Sequence, residues 1–283
     1  MKSLTDTFEL RNGSCIPCIG FGTWQMPDDD TGYKAVRKAL EAGYRHIDTA
    51  SIYKNEETVG RAIIDSGVPR SEIFLTSKLW GDDYGYESTK RAFEKSLELL
   101  HTGYLDLYLM HWPNPVKFRN NWKKNNADTW KAIEELYEEG KIKSIGVSNF
   151  MIHHLEELKK TASIMPMVNQ IKLCPGDTKD ELVSYCRENG ILVEAYSPLG
   201  TGKVFKVPEL IDLASKYNVT VAQLSIRWSL QMGYLPLPKS VTPEYISNNA
   251  DVFSFKISDD DVNKIAGLTN CCGVPRNPDE VPW

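Results

Sequence analysis

Three short apolar runs of this chain each finish on a side chain that can move or hold a proton. Asp48 closes Tyr44-Arg45-His46-Ile47-Asp48, Lys78 closes Phe74-Leu75-Thr76-Ser77-Lys78, and His111 closes Leu107-Tyr108-Leu109-Met110-His111. Tyr53 follows the first run by five residues. If the runs are neighbouring parallel strands, all four polar groups meet at one end of a sheet. A free phenol, with a pKa near ~10, holds its proton tightly at neutral pH. An ammonium beside it stabilises the phenolate and lowers that pKa. Asp48 would keep Lys78 charged and offset the cost of burying it. His111 could orient a substrate oxygen or relay the proton. The chemistry this points to is proton delivery to a carbonyl oxygen. Taken singly, these residues read as a strand-end salt bridge, a packing aromatic and a satisfied core histidine; four at converging strand ends favour chemistry.

The elements that must position them alternate between strand and helix. Short apolar segments at 19–22, 44–48, 74–78, 105–111, 142–148, 167–171, 192–196 and 235–238 read as strands covered on both faces. Amphipathic stretches such as 31–42, 88–100 and 127–139 lie between them, and Gly43, Gly140 and Gly190 sit where helices should end. Eight such units give an α/β chain with a (β/α)8 TIM barrel, expected as one domain over 1–283; an open doubly wound sheet is the structural alternative. Residues 8–10 and 15–16 flank Asn12-Gly13 and predict a β-hairpin plugging the barrel floor. Two extra helices are expected near 244–249 and 258–268, then an irregular tail to Trp283. Barrel sites collect at the C-terminal ends of strands, where Asp48, Lys78 and His111 fall on consecutive units.

Composition narrows the class further. The 283 residues are 41% hydrophobic and 25% charged, enough for a full core, and the net charge of −5 lacks the basic footprint of a nucleic-acid binder. No run approaches a membrane span, and Met1-Lys2-Ser3-Leu4-Thr5-Asp6 has no signal-peptide pattern, so a cytoplasmic location is expected; a monomer is expected as well. Cys15-Ile16-Pro17-Cys18 has redox-motif spacing but follows a hairpin turn instead of opening a helix, so reduced, structural cysteines are expected. No metal is expected: His153-His154 lies early in a helix without evident partners.

The chain resembles the aldo-keto reductase family. Gly43 to Tyr53 followed by Lys54-Asn55-Glu56-Glu57, Leu79-Trp80, His111-Trp112-Pro113 and Gly146-Val147-Ser148-Asn149-Phe150 carry the likeness. So do Asn169-Gln170, Ala195-Tyr196-Ser197-Pro198-Leu199-Gly200 and Pro238-Lys239-Ser240, in the family's order and spacing. It is most similar to the compact microbial and plant-like reductases, including diketogluconate and methylglyoxal reductase types. The resemblance implies a catalytic tetrad of Asp48, Tyr53, Lys78 and His111, with Tyr53 the general acid in reduction and the base in oxidation. It also implies that Trp24, Trp80 and Trp112 wall an apolar substrate pocket, with Tyr53 and His111 touching the substrate.

The nucleotide would be held without a Rossmann unit. Gly20-Phe21-Gly22 lacks the third glycine and the helix start of a dinucleotide fingerprint, and no phosphate loop of the Walker type occurs. Tyr196 ends a strand where its ring could stack on nicotinamide, and Ser148, Asn149 and Gln170 offer groups for the carboxamide. Ser197, Leu199 and Gly200 suit backbone contacts with a pyrophosphate. Lys239, Ser240, Val241 and Thr242 lead into a helix start, with Thr242 as N-cap and Pro243 behind it, an anion site suited to a 2′-phosphate. The resemblance adds Thr23, Trp24 and Asp48 to the cofactor set. It departs at Tyr245, where NADP-selective members usually carry arginine, and at Asn248-Asn249, where a glutamate–asparagine pair is common. NADP(H) is therefore expected with weakened discrimination, so that NAD(H) is tolerated.

The pocket mouth should come from 113–126, 201–206 and the tail 271–283. Lys117, Phe118, Arg119, Trp122, Lys123 and Lys124 in the first loop hint at anionic or polar carbonyls. The leading function is NAD(P)H-dependent reduction of aldehydes and ketones, dicarbonyl or sugar-derived ones among them. A cofactor-binding regulatory protein on the same barrel is the alternative, and imine chemistry at Lys78 is disfavoured because Asp48 should keep it protonated.

Overall fold

A computed structural model of the chain describes residues 1–269, 271–273 and 276–283, so positions 274 and 275 of the expected tail lie outside the described residues. The chain opens with a hairpin, β1 (Thr7–Glu9) antiparallel to β2 (Cys15–Pro17). Gly13 takes φ +83° in the connecting turn, the left-handed conformation that suits glycine after asparagine. Pro17 pairs only at the last position of β2, where a missing N–H is tolerated.

Eight parallel strands follow: β3 (Phe21–Gly22), β4 (His46–Asp48), β5 (Phe74–Leu79), β6 (Leu107–Met110), β7 (Ile145–Ser148), β8 (Val168–Lys172), β9 (Leu192–Tyr196) and β10 (Leu235–Leu237). Each pairs with its sequence neighbour. The ring closes through Gly20 N–H to Pro236 O at 3.1 Å and Gly22 N–H to Pro238 O at 3.0 Å. Closure is tight enough to require glycine at position 20: a Cβ there would stand 2.4 Å from Leu237 and 2.6 Å from His46. The result is a (β/α)8 barrel whose strands are almost wholly buried.

Helices separate the strands: α1 (Asp30–Glu41), α2 (Glu56–Asp65), α3 (Tyr86–Leu99), α4 (Trp122–Glu138), α5 (Ile152–Lys159), α6 (Asp180–Glu188), then α7 (Pro208–Lys216) and α8 (Val221–Gln231) between β9 and β10. Local chemistry starts several of them. Asp29 caps α1 through Thr31 and Gly32 N–H, and Thr220 forms a capping box with Gln223 on α8. The two extra helices are present as α9 (Pro243–Ala250) and α10 (Asp259–Ala266). No helix among the described residues is long and apolar enough to cross a membrane.

Several expectations need correction. Tyr44 and Arg45 belong to the turn after α1, with Tyr44 N–H bonded to Ala39 O, so β4 starts two residues late. Helix α4 begins at Trp122, five residues earlier than its apolar stripe suggests, because a 3-10 turn over Val116–Asn121 leads straight into it. His153 and His154 do have a partner: Asp279 lies 3.1 Å and 2.9 Å from their Nε2 atoms. The Met151 N–H donates to His154 Nδ1, so the ring proton sits on Nε2 and points at Asp279. That tautomer makes a hydrogen-bonded latch and withholds the nitrogen a metal would need. Cys15 is exposed and Cys18 buried, both free, with burial pushing the Cys18 thiol up to about 11. Cys174 and Cys272 form a disulfide that no spacing announced, tying the tail to the segment after β8.

Candidate active site

Asp48 ends β4, Lys78 lies in β5, and His111 follows β6 by one residue, so three adjacent strands bring them to one rim. Tyr53 closes a 3-10 turn, Ser51–Tyr53, immediately after β4. The turn is stapled from below. Ser51 Oγ donates to Lys78 O at 3.0 Å, and buried Asn55 bonds Thr23 O, Met26 O and the Thr49 hydroxyl.

Lys78 Nζ has three partners: Asp48 Oδ1 at 2.7 Å, Thr49 O at 2.8 Å and the Tyr53 hydroxyl at 3.4 Å. Burial works against its charge, but Asp48 and Tyr53 outweigh that and raise its pKa. The phenol departs from expectation. Burial dominates, and with Asp48 it raises the Tyr53 pKa despite Lys78. The expected lowering is therefore absent in the protein alone, and Tyr53 keeps its proton at neutral pH. His111 is neutral too, held well below the usual imidazole range by burial and by Lys78. Its Nδ1 is buried without a partner among the described residues, and its ring meets Tyr53 and Trp80 edge-on at 5.7 Å and 5.4 Å.

These groups open onto a cleft of about 1220 Å³. Trp24, Trp80, Trp112, Tyr53 and His111 line one part of it, together with Trp283 from the tail, which packs on Trp112 at 5.4 Å. Ser148, Asn149, Gln170, Tyr196, Ser197, Leu199 and Lys239 line the rest. Asn149 and Ser197 hold φ of +62° and +51°, left-handed conformations that non-glycine residues adopt at some cost. Asn149 is fixed by bonds to His111 O, Ser148 Oγ and the Tyr196 hydroxyl, which braces the Tyr196 ring.

Other sequence candidates lie outside the cleft lining. Thr23 is buried behind it, with its N–H on Asp48 O. Gly200 opens the 3-10 segment after β9, against Val204 and Cys272, while Ser240, Val241, Thr242, Tyr245, Asn248 and Asn249 continue beyond Lys239 into α9, with Val241 and Tyr245 exposed and Asn249 buried. Thr242 occupies the N-cap position, but its hydroxyl makes no cap hydrogen bond; its N–H instead donates to Ser240 Oγ at 3.0 Å. The start of α9 is left with free N–H groups for an anion. The basic loop residues do not reach the cleft: Lys117 bonds Asp82 O, Arg119 bonds Val281 O and Asn114 O, and Lys123 and Lys124 pair with Glu157 and Asp128.

The cleft's cations are Lys172, Lys179, Lys203, Lys239 and Arg276; only Lys239 was singled out, while Lys203 and Arg276 come from the 201–206 and 271–283 segments expected at the mouth. Lys172 stands two residues after Gln170, and strand alternation puts the two on one face, which was the available signal. Glu194 was also missed, although a carboxylate inside Leu192-Val193-Glu194-Ala195-Tyr196 is conspicuous. A flat aromatic, the amides of Asn149 and Gln170, five cations and an uncapped helix start nearby fit a dinucleotide carrying phosphates.

A barrel with a Tyr–Lys–Asp–His rim over such a cleft defines a nicotinamide-dependent carbonyl oxidoreductase. The aldo/keto reductase family model matches residues 18–270, and the chain belongs to that family. It is 49% identical over 279 residues to glyoxal reductase of Bacillus subtilis, covering 99% of this chain and 98% of that protein. It is 43% identical to aldehyde reductase YPR1 of Saccharomyces cerevisiae, covering 98% and 95%. Among solved structures, a variant of Gox0644 in complex with NADPH superposes with a TM-score of 0.91 at 39% identity, covering 99% of each chain.

Proposed function

We propose that this protein reduces small aldehydes, ketones and dicarbonyls to alcohols with NADPH, using Tyr53 as proton donor. The carrying observation is the placement of Lys78 between ionised Asp48 and the Tyr53 hydroxyl at the rim of the cleft. The bound nicotinamide would supply the hydride. Tyr196 offers a flat ring beneath it, Ser148, Asn149 and Gln170 its carboxamide contacts, and Ser197, Leu199 and Gly200 the pyrophosphate contacts. Lys239, Ser240, Val241 and Thr242 would take the 2′-phosphate, Tyr245, Asn248 and Asn249 the adenine end, and Thr23 and Trp24 the inner edge.

Tyr53 is protonated at neutral pH, so it has a proton to give when negative charge builds on the carbonyl oxygen. Lys78 then stabilises the phenolate left behind, and Asp48 holds Lys78 in place. His111, neutral, can present a ring N–H to the same oxygen. Trp24, Trp80, Trp112 and Trp283 exclude water around it. The relatives' names, glyoxal reductase and aldehyde reductase, support short dicarbonyls and aldehydes as substrates.

We further propose one catalytic domain over 1–283 acting as a cytoplasmic monomer, with NADH tolerated because Tyr245 cannot pair with a phosphate. The test is NADPH and NADH oxidation across glyoxals, aldehydes, ketones and sugar-derived carbonyls. Cofactor binding without turnover on any of them would instead favour a regulatory protein.

A further inference from the structure

Beneath the reactive rim lies a second carboxyl group that the mechanism above does not use. Glu194 is fully buried in the middle of β9, and its Oε2 accepts from Gln170 Nε2 at 2.8 Å. The same amide nitrogen donates to Asp48 Oδ2, also at 2.8 Å. An amide nitrogen has two hydrogens, and both are thereby engaged. The reverse orientation would turn the amide oxygen toward the Asp48 carboxylate, so the direction of the amide is fixed. Its oxygen is the polar end left to face the cleft that Gln170 lines.

We propose that Glu194 is a positioning residue for the nicotinamide: sharing the Gln170 amide with Asp48, it keeps the amide oxygen turned to the cleft as an acceptor for a carboxamide N–H. This deepens the reductase reading and rests on it. Two carboxyl groups so close cannot both ionise cheaply, and they divide the task. Asp48 is charged and paired with Lys78. Glu194 is pushed up to about 8 by burial and by Asp48, against weaker help from Gln170 and Lys78, so it is neutral at pH 7. The titratable groups facing it are Asp48 and His46 of β4 and Lys78 of β5; β8 offers Gln170, and β10 (Leu-Pro-Leu) offers none. His46 Nε2 lies 3.9 Å from Glu194 Oε1, but burial lowers His46 to about 3, so it brings no charge. A neutral Glu194 lets Gln170 serve two acceptors without drawing Lys78 away from Tyr53. An ionised one would compete with Asp48 for the amide and for the ammonium.

The test follows NADPH binding by fluorescence titration from pH 7 to 9.5 in wild type, Glu194→Gln and Glu194→Leu. Glutamine copies the shape and neutrality of the protonated acid. Glu194→Gln is expected to bind within threefold of wild type at pH 7 and to stay flat, while wild type weakens roughly tenfold above its transition. Glu194→Leu removes the acceptor and should weaken NADPH roughly tenfold already at pH 7, the KM for carbonyl changing less. Lys78 and Tyr53, both raised above their ordinary values, are common to all three proteins, so the difference between them reports Glu194. In the protein without cofactor, a carboxylic-acid infrared band present at pH 7 should vanish both at high pH and in Glu194→Gln. An alkaline weakening of equal size in wild type and Glu194→Gln would overturn the proposal while leaving the reductase reading intact. Failure of wild type to bind NADPH at any pH would overturn both. If Glu194→Leu does not fold, the comparison with glutamine still decides.

Discussion

The Tyr53 hydroxyl stands 3.4 Å from the Lys78 ammonium, while Asp48 holds the same ammonium at 2.7 Å. The lysine is thus anchored on its acid and only loosely engaged with the phenol, leaving that hydroxyl free to turn toward a substrate. Removing the hydroxyl should remove the proton donor and little else. Tyr53→Phe is expected to lower kcat/KM by roughly 10² to 10⁴, the usual worth of general acid catalysis, with the NADPH Kd unchanged. Turnover near that of wild type would show that another group gives the proton.

Lys78→Met tests a different link, because here stability and activity must fall together. The methionine fills similar space but leaves Asp48 buried with Gln170 as its remaining side-chain partner. Breaking a buried pair this way costs about 3–5 kcal/mol, which a urea midpoint should register, whereas Tyr53→Phe should leave the midpoint nearly in place. Equal midpoints for the two variants would mean the Asp48–Lys78 pair does not hold the rim.

The rim itself was legible in the sequence, since strand ends and their polar residues share one period and one handedness of connection. Asp48, Lys78 and His111 converge because their strands are consecutive, and the hairpin and the two added helices fell where turn and cap signals put them. The phenol's electrostatics were not legible. Whether Lys78 or burial wins depends on how much solvent Tyr53 loses, and side chains from distant segments decide that. The cleft's cations were misplaced for a related reason. Lys117 and Arg119 sit in a suitable loop, but a 3-10 turn sends them to Asp82 and Val281, while Lys203 and Arg276 arrive from the β9 loop and the tail. The Cys174–Cys272 and His154–Asp279 ties join residues about a hundred positions apart, and nothing local encodes them.

That last tie makes a prediction about the tail. Asp279 accepts from Asn114 and His154 and faces His153, fastening the segment that carries Trp283 onto Trp112. Asp279→Ala leaves two buried donors unmatched, a loss of about 1–3 kcal/mol at the tail. The KM for aromatic carbonyls should rise several-fold with kcat little changed, as expected when uniform binding is lost. A fall in kcat at constant KM would place the tail in the chemical step instead.

The proposed cofactor tolerance makes a prediction at Tyr245, which is exposed at the first turn of α9. An arginine there would add one charge-assisted contact to a 2′-phosphate and nothing to NADH. Tyr245→Arg is therefore expected to raise the NADPH/NADH ratio of kcat/KM by roughly ten- to a hundredfold, corresponding to about 1–3 kcal/mol. If wild type already discriminates strongly and the variant adds nothing, the 2′-phosphate is held by Lys239 and the start of α9 alone.

The buried acid below the rim contributes to how stability varies with pH. Glu194 has a folded pKa of about 8, against roughly 4.3 in an unfolded chain. Between those values the folded protein keeps a proton that the unfolded chain has released, so stability falls as pH rises through that window and levels off above it. Glu194→Gln has no such proton to lose. The two proteins should be about equally stable near pH 4.5, and the variant's advantage should grow at up to about 1.4 kcal/mol per pH unit, reaching on the order of a few kcal/mol by pH 8. His46, lowered to about 3, destabilises the fold in the opposite direction, as pH falls below about 6.5, but it does so in both proteins and cancels in the difference. Denaturant unfolding of the cofactor-free proteins at half-unit steps from pH 4.5 to 8.5 measures that difference. A difference that stays constant over the range would mean Glu194 is ionised in the fold, and the neutral partner assigned to Gln170 would have to be abandoned.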